Sequence, residues 1–155
     1  MSFENLNDVL DFAIEREIEA AEFYRSLAVE ESMSGTREMF KEFAEVEKSH
    51  QTMLEDLKAG KVGEKLAGYK LKWIPDMKRS DYVVDMEYRK GMPYNEILLI
   101  AMKREEKALQ LYNELLKEAE PEAVKRVFKI LCQEEAKHKL ALETLYDDYM
   151  AEMGD

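Results

Sequence analysis

The chain has two histidines, and each stands three residues after a glutamate: Glu47 precedes His50, and Glu135 precedes His138. An α-helix places residues i and i+3 on one face, so each motif directs a carboxylate and an imidazole the same way. Carboxylate oxygens and imidazole nitrogens are common ligands of iron, manganese and zinc. The spacing therefore predicts a metal site carried on helices.

The two motifs belong to an internal repeat with an offset of 88 residues. Of twelve core-type positions between Leu10 and Leu57, all recur in the second half except one, Phe43, which is replaced by Leu131. Outside the motifs, the repeat also pairs Glu17 with Glu105 and Tyr24 with Tyr112. Each half thus carries one Glu-x-x-His motif and one further glutamate on a partner segment.

Apolar residues at alternating steps of three and four predict four amphipathic helices. Polar residues at positions 32–36 predict a turn with a side-chain N-cap, and prolines at 93 and 121 favour helix starts. We expect helices over about residues 5–31, 36–59, 94–119 and 121–151. The Glu and His residues of the motifs stand where apolar residues would be expected on the buried stripes of these helices. The presence of polar side chains at these positions requires a chemical explanation.

Residues 60–93 interrupt the pattern with glycines and a proline, and aromatic residues there alternate with Lys and Arg. Such interleaving also occurs where proteins bind single-stranded nucleic acid, but the acidic chain favours aromatics packed along a bundle. A helix of 25 residues is about 38 Å long, and a segment of this size can span it. We expect a single all-α domain over residues 1–155: two helix hairpins, a long crossover and a pseudo-twofold that gathers the motif helices.

Composition limits the function classes. The net charge of −11 disfavours nucleic acid and anionic membranes as partners. No apolar run approaches the roughly 20 residues of a membrane span, and the first residues do not resemble a signal peptide, so we expect a cytoplasmic protein. Cys132 is the sole cysteine, which excludes an intrachain disulfide and a Cys-x-x-Cys metal site.

The repeat separates the candidate ligands from other glutamates. Glu134 also lies within one turn of His138, but its counterpart in the first half is Val46, and the counterpart of Glu106 is Ile18. Because neither glutamate recurs in the first half, we assign Glu134 and Glu106 to solvated faces. Four carboxylates on buried stripes would each cost several kcal/mol without cations, whereas two divalent cations would offset their charge.

One glutamate from each of two helices, with Glu-x-x-His from the other two, is the ligand set of ferritin-like di-iron and di-manganese bundles. Over nearly its whole length the chain resembles that superfamily, and its rubrerythrin branch in particular. The resemblance includes the local sequence around Glu22-Phe23-Tyr24 and around Glu45-Val46-Glu47. The resemblance implies a ferritin-like four-helix bundle with two Fe ions, for which Mn or Zn are candidate substitutes. It implies the metal ligands Glu17, Glu47, His50, Glu105, Glu135 and His138.

By the same resemblance, Glu47 and Glu135 bridge the metals, and Glu17 and Glu105 are terminal ligands. Independently of the resemblance, Tyr24 and Tyr112 occupy core positions where each hydroxyl group needs a partner, and we expect a ligand carboxylate on a neighbouring helix to supply it. Two departures stand out. Rubrerythrins usually carry a rubredoxin-like domain with two Cys-x-x-Cys pairs, which a single cysteine cannot supply. They also have an extra glutamate one turn beyond the third-helix ligand, where this chain has Ala108.

The implied function is that of an oxidoreductase. We expect it to react with hydrogen peroxide or dioxygen, to take electrons from an external donor such as a rubredoxin-type protein, and to form a homodimer. The alternative is an iron-binding or ferroxidase module for iron handling. A third hypothesis is a metal-free helical interaction protein, which the buried carboxylates disfavour.

Overall fold

The computed structural model describes residues 6–31, 33–61 and 87–153, and every regular element in these ranges is an α-helix. The helices are α1 (Leu6–Glu30), α2 (Ser34–Lys58), α3 (Tyr94–Glu118) and α4 (Glu122–Met153). Helix α1 packs against α2, and α3 packs against α4. The all-α fold of two helix hairpins is confirmed, and the helix ends lie within two residues of the predicted ones. Of the predicted crossover, residues 62–86 lie outside the described ranges.

Prolines mark the starts of the second pair of helices, as expected. The carbonyl of Pro93 accepts a hydrogen bond from the N–H of Ile97 at 3.1 Å, and that of Pro121 accepts one from Lys125 at 3.0 Å. The first turn of a helix has no use for the N–H that proline lacks, and proline already holds a helical φ. These residues therefore begin α3 and α4 without a lost hydrogen bond.

The start of α2 differs from the expectation of a side-chain cap. The residue that precedes the helix is Met33, and its side chain makes no cap hydrogen bond. The backbone N–H of Met33 instead donates to Oε1 of Glu31 at 3.0 Å. The end of α2 is a glycine turn, in which Gly60 has a φ of 78°, a conformation that favours glycine over residues with a side chain.

A stacked tyrosine and phenylalanine join the two helices of each hairpin. Tyr24 of α1 stacks on Phe40 of α2 with ring centroids 6.2 Å apart and an interplanar angle of 17°. Tyr112 of α3 stacks on Phe128 of α4 at 6.5 Å and 20°. All four side chains are almost completely buried. Because both residues of the second pair follow those of the first by 88 positions, the duplicated sequence builds a duplicated packing arrangement.

The hairpins differ at Phe43, the one predicted core position where the repeat is broken. Phe43 packs edge-on against Tyr24, with centroids 5.3 Å apart and an interplanar angle of 82°. Its counterpart Leu131 is fully buried but offers no ring. With Phe23, whose ring centroid lies 5.3 Å from that of Tyr24, the first hairpin has a cluster of four aromatic rings. The second has a stacked pair, with leucines at the counterparts of Phe23 and Phe43.

Buried leucines lie two helical turns from the motif residues, in the direction opposite to the stacked aromatic pairs. Leu10 precedes Glu17 by seven residues, and Leu54 follows Glu47 by seven, which is about two helical turns in each case. Both leucines are at most 1% exposed, and so are their counterparts in the second hairpin, Leu98 and Leu142. Each set of motif residues therefore has aromatic residues two turns away along its helices in one direction and leucines two turns away in the other.

Within the described residues, no helix is both long enough and apolar enough to cross a membrane.

The stacked pair provides a test of what holds each hairpin together. Replacing Phe40 with Ala removes a buried ring and its stacking contact, so we expect a loss of about 3–5 kcal/mol in the free energy of unfolding. Urea denaturation followed by far-UV circular dichroism measures this loss. The matched control is Val29→Ala, at a side chain that is 81% exposed, for which the change should stay within about 0.5 kcal/mol. Equal losses in the free energy of unfolding for the two substitutions would contradict a stabilising role of the stacked pair.

Candidate metal centre

Helix α1 contributes one of the predicted ligands of the first hairpin, and α2 contributes two. Glu17 lies in the middle of α1, while Glu47 and His50 lie one turn apart on α2. We call these three residues the first triad. All three side chains are buried, with exposures of 2%, 0% and 0% respectively. They are buried because they occupy core positions of helices whose neighbouring core positions hold the leucines and aromatic residues described above.

The donor atoms of the first triad converge on one another. Nδ1 of His50 lies 3.5 Å from Oε2 of Glu17 and 3.6 Å from Oε2 of Glu47. One donor atom from each of the three residues lies within 4.8 Å of the others. The imidazole of α2 is thus positioned beside a carboxylate from its own helix and another from the facing helix.

The second hairpin repeats this arrangement with Glu105 of α3 and with Glu135 and His138 of α4, which we call the second triad. Their exposures are 2%, 2% and 5%. Nδ1 of His138 lies 3.5 Å from Oε1 of Glu105, the same separation as in the first triad. The three donor atoms again lie within 4.8 Å of one another. All six residues predicted from the sequence are therefore brought together in two matching groups of three.

The spacing within each triad suits a shared cation. Ordinary N–H···O hydrogen bonds are about 2.7–3.2 Å long, shorter than the 3.5–3.6 Å found between imidazole and carboxylate here. Two donors that bind one ion at ~2.1 Å would lie roughly 3.0–3.4 Å apart at octahedral or tetrahedral angles. The donor set of two carboxylates and one imidazole therefore fits a first-row divalent metal such as iron, manganese or zinc.

The charge of the buried carboxylates also favours a cation at each triad. Each triad places two carboxylates in the protein interior, where burial of negative charge is costly unless a cation offsets it. One divalent cation offsets the two charges. The sequence argument for a cation on the buried stripes thus holds within each hairpin separately.

The two tyrosines predicted to support the ligands lie seven residues after Glu17 and Glu105, two turns along the same helices. Tyr24 is 0% exposed and Tyr112 is 1% exposed, so both hydroxyl groups lie inside the protein. The rings have the stacking role described above. Hydrogen bonding from these hydroxyl groups to ligand carboxylates stays a prediction.

The two glutamates assigned to solvated faces are less exposed than expected. Glu134 and Glu106 are both half-buried, and Oε2 of Glu106 is fully shielded from solvent. Each follows or precedes a core position by one residue, and so it lies at the border of the buried stripe. Ala108, which stands where rubrerythrins have an additional glutamate, is also half-buried.

Sequence reasoning missed a buried ion pair on α4. Nζ of Lys139 lies 3.5 Å from Oε1 of Glu143, and the two residues are 3% and 0% exposed. The equivalent pair on α2 is Gln51 and Glu55, which form a hydrogen bond of 3.4 Å on the exposed side of the helix. Because the repeat counterpart is solvated, the sequence carried no signal that this pair would be buried.

Cys132 lies beside the core of the second hairpin. Its Sγ donates a hydrogen bond to Oδ1 of Asn113 at 3.4 Å. Burial raises the pKa of the Cys132 thiol to about 12, with a further contribution from the negative charge of Glu135. The thiol of Cys132 therefore stays protonated at neutral pH.

The comparisons with known proteins agree with the ligand pattern. The family model for rubrerythrin matches residues 8–146 of this chain. The chain belongs to the rubrerythrin family. Among solved structures, it is similar to a hypothetical protein from Pyrococcus furiosus, with 28% sequence identity and a TM-score of 0.71. That match covers 93% of this chain and 89% of the other. No curated protein sequence matches.

Membership of the rubrerythrin family gives the buried groups a chemical context. Proteins with the ferritin-like fold use glutamates and Glu-x-x-His motifs from facing helices to hold two metal ions. The two triads of this chain supply those residue types, buried and with donor atoms close together. The family and the Glu/His clusters are together consistent with a di-iron site.

The raised pKa of Cys132 predicts slow alkylation. At pH 8 a thiol of ordinary pKa 9.0 is about a tenth ionised, whereas one with a pKa of about 12 has about 1,000-fold less thiolate. Iodoacetamide should therefore modify the native chain about 1,000-fold more slowly than the urea-unfolded chain. The native rate should also keep rising tenfold per pH unit through pH 10, while the unfolded rate levels off above pH 9. An alkylation rate of the native chain that levels off near pH 9 would contradict the raised pKa of Cys132.

Proposed function

We propose that this rubrerythrin-family chain is a di-iron oxidoreductase that reduces hydrogen peroxide or dioxygen with electrons from an outside donor. In this proposal the two triads together form one centre. Glu47 and Glu135 would be shared by two iron ions, Glu17 and His50 would help to hold one of them, and Glu105 and His138 would help to hold the other. The internal repeat of 88 residues supports this assignment, as does the ligand set of ferritin-like proteins.

The observation that carries the proposal is the matched pair of buried Glu–Glu–His triads. Two identical imidazole–carboxylate separations of 3.5 Å, on helices related by an 88-residue repeat, are hard to explain as structural ion pairs. A core that needed only stability would hold apolar residues at these positions, because buried ion pairs seldom improve on well-packed apolar side chains. The carboxylates and imidazoles therefore serve chemistry.

The redox chemistry would come from the metal. Two Fe(II) ions held there would supply the two electrons that, with two protons, convert one molecule of hydrogen peroxide into two of water. The chain contributes the surroundings. Its four carboxylates balance the charge of the ions, and its two imidazoles are fixed on rigid helices. The leucines and aromatic rings along the same buried stripes keep bulk water away from the donor atoms.

Turnover requires a reductant that this chain does not itself provide. A dithiol needs two cysteines, and this sequence has one, whose thiol is protonated at neutral pH. We therefore propose a small electron-transfer protein of the rubredoxin type as the donor and a small oxidant as the substrate.

Anaerobic loading with Fe(II), followed by mixing with hydrogen peroxide, tests the proposal. We expect two iron ions per chain and a near-ultraviolet absorption band of ferric iron that grows to completion at about one peroxide per two irons. Adding a chemical reductant should bleach the band and restore reactivity. A chain that binds iron but gives no band and consumes no peroxide would contradict an oxidoreductase role.

Matched variants make the test specific. The double variant Glu47→Ala with Glu135→Ala should lose the band, because it removes the carboxylates proposed to bridge the ions. Glu45→Ala, at an exposed position on α2 two residues from Glu47, should leave the reaction unchanged. If wild-type protein instead takes up many more than two irons per chain and retains them as Fe(III), the protein serves iron handling.

A further inference from the structure

The second hairpin carries five basic side chains on the side of its helices that points away from the ligands. Helix α3 contributes Lys103 and Lys107, and α4 contributes Arg126, Lys129 and Lys137. Lys107, Lys129 and Lys137 are exposed, and the other two are half-buried. We call these five residues the basic face.

The basic face forms one surface across both helices. Successive residues of an α-helix are about 100° apart, so each basic residue lies about 120–180° around its helix from Glu105 or Glu135. The thiol of Cys132 contacts Asn113 at 3.4 Å, which places the facing sides of α3 and α4 about 60–80° from these glutamates. The basic residues lie beyond the facing sides on both helices, and so they share the outer side of the hairpin.

Two lysines of the basic face lie at the level of the ligands. In the antiparallel pair of α3 and α4, Glu105 lies opposite His138. Lys107 follows Glu105 by two residues and Lys137 precedes His138 by one, so the two lysines are at matching heights on the hairpin. The thickness of one helix, about 10 Å, separates them from the ligand side.

The exposed charge on this part of the hairpin is wholly positive. Within residues 94–112 of α3 and 124–143 of α4, the exposed side chains are those of Lys107, Gln110, Lys129 and Lys137. The glutamates in these two ranges are buried or half-buried. A basic face is not expected from composition, because the chain as a whole has a net charge of −11.

The first hairpin does not share this charge. The equivalent positions there, 88 residues earlier, hold three glutamates, one lysine and one serine, all of them exposed: Glu15, Glu19, Glu38, Lys41 and Ser49. Both hairpins nevertheless hold a triad and a stacked aromatic pair in the same way. Neither the packing of the helices nor the ligands therefore requires the basic face, and its charge points to a role outside the hairpin.

A negatively charged partner would suit this surface. Lys103 and Lys107 are one turn apart on α3, and like charges at that spacing destabilise a helix. An acidic surface would offset the repulsion, and complementary charge would also orient the partner as it approaches. A long polyanion such as nucleic acid fits less well, because it would extend over the acidic remainder of the chain.

We propose that the basic face is the docking site of the electron donor, and that this donor is a small protein with an acidic surface. This inference rests on the proposed di-iron function, for which it names the partner's chemistry and its place of contact. Each reduced donor gives up one electron, so two donors in succession return two ferric ions to the ferrous state. Encounters between electron-transfer proteins are typically small and guided by charge, which suits a face of five basic side chains behind the second triad.

The probe for the test is a reduced recombinant rubredoxin with an acidic surface. The full-length chain is loaded with Fe(II), oxidised with hydrogen peroxide and mixed with the probe in a stopped-flow instrument, which records the visible absorption of rubredoxin as it becomes oxidised. The second-order rate constant should fall at least about tenfold between about 20 mM and about 200 mM salt, because salt screens the attraction between the two surfaces.

A charge-reversed variant locates the contact. Lys107→Glu with Lys129→Glu and Lys137→Glu changes the three exposed residues of the basic face. At low salt this variant should oxidise the probe at least about tenfold more slowly than the wild type, on the scale of electrostatic steering. Reduction by dithionite, which needs no protein docking, should proceed at the wild-type rate.

The matched control is Lys41→Glu with Lys48→Glu and Lys61→Glu, at exposed positions on α2 or directly after it. It makes the same change in net charge away from the basic face, so its rate constant should stay within about threefold of the wild type. A second probe, the same rubredoxin with its surface glutamates changed to glutamine, should remove most of the difference between the wild type and the charge-reversed variant.

Equal rates for the charge-reversed variant and the wild type, or an equal loss in the control, would overturn the docking site and leave the peroxide reaction standing. A salt-dependent dimer that only the charge-reversed variant fails to form, seen by analytical ultracentrifugation, would also overturn it, because a second copy of the chain would then occupy the face. A wild-type chain that gives no ferric band with peroxide would overturn the proposed function itself, and the docking proposal with it. If the variant does not fold, a wild-type rate that is independent of salt overturns the docking site.

Discussion

The placement of two carboxylates and an imidazole in the dry interior of each hairpin is the constraint on which the rest of the structure depends. Such groups are costly in a protein core unless a cation or protons offset their charge. Here Glu17, Glu47 and His50 are each at most 2% exposed, and their donor atoms converge. A divalent cation would resolve this conflict, because it would replace water as the partner of the charged oxygens.

The packing of each hairpin follows from the need to hold these groups in register. Tyr24 on Phe40 and Tyr112 on Phe128 join the helix pairs two turns from the ligands, while buried leucines lie two turns away on the other side. The same solution appears twice because the sequence is duplicated. Changes that fall outside the triads, such as Phe43 to Leu131, are absorbed by the core and leave the imidazole–carboxylate separation at 3.5 Å.

Much of this could be predicted from the sequence, because the helices are long, amphipathic and repeated. The three- and four-residue periodicity located four helices, and the offset of 88 residues selected four candidate ligand glutamates among many, beside the two histidines. Local chemistry was less predictable. Met33, rather than a serine or threonine, precedes α2, and the pair Lys139 and Glu143 is buried although its counterpart on α2 is solvated. Burial at the edge of a helix stripe depends on tertiary neighbours, which periodicity alone does not identify.

The central claim is that the two triads hold two metal ions at one centre. Anomalous X-ray diffraction at the iron edge, from crystals loaded with Fe(II) under anaerobic conditions, tests it most directly. The account predicts two peaks per chain about 3.5–4 Å apart, one beside His50 and the other beside His138. A single peak, two peaks far apart, or iron bound only at surface carboxylates would contradict it.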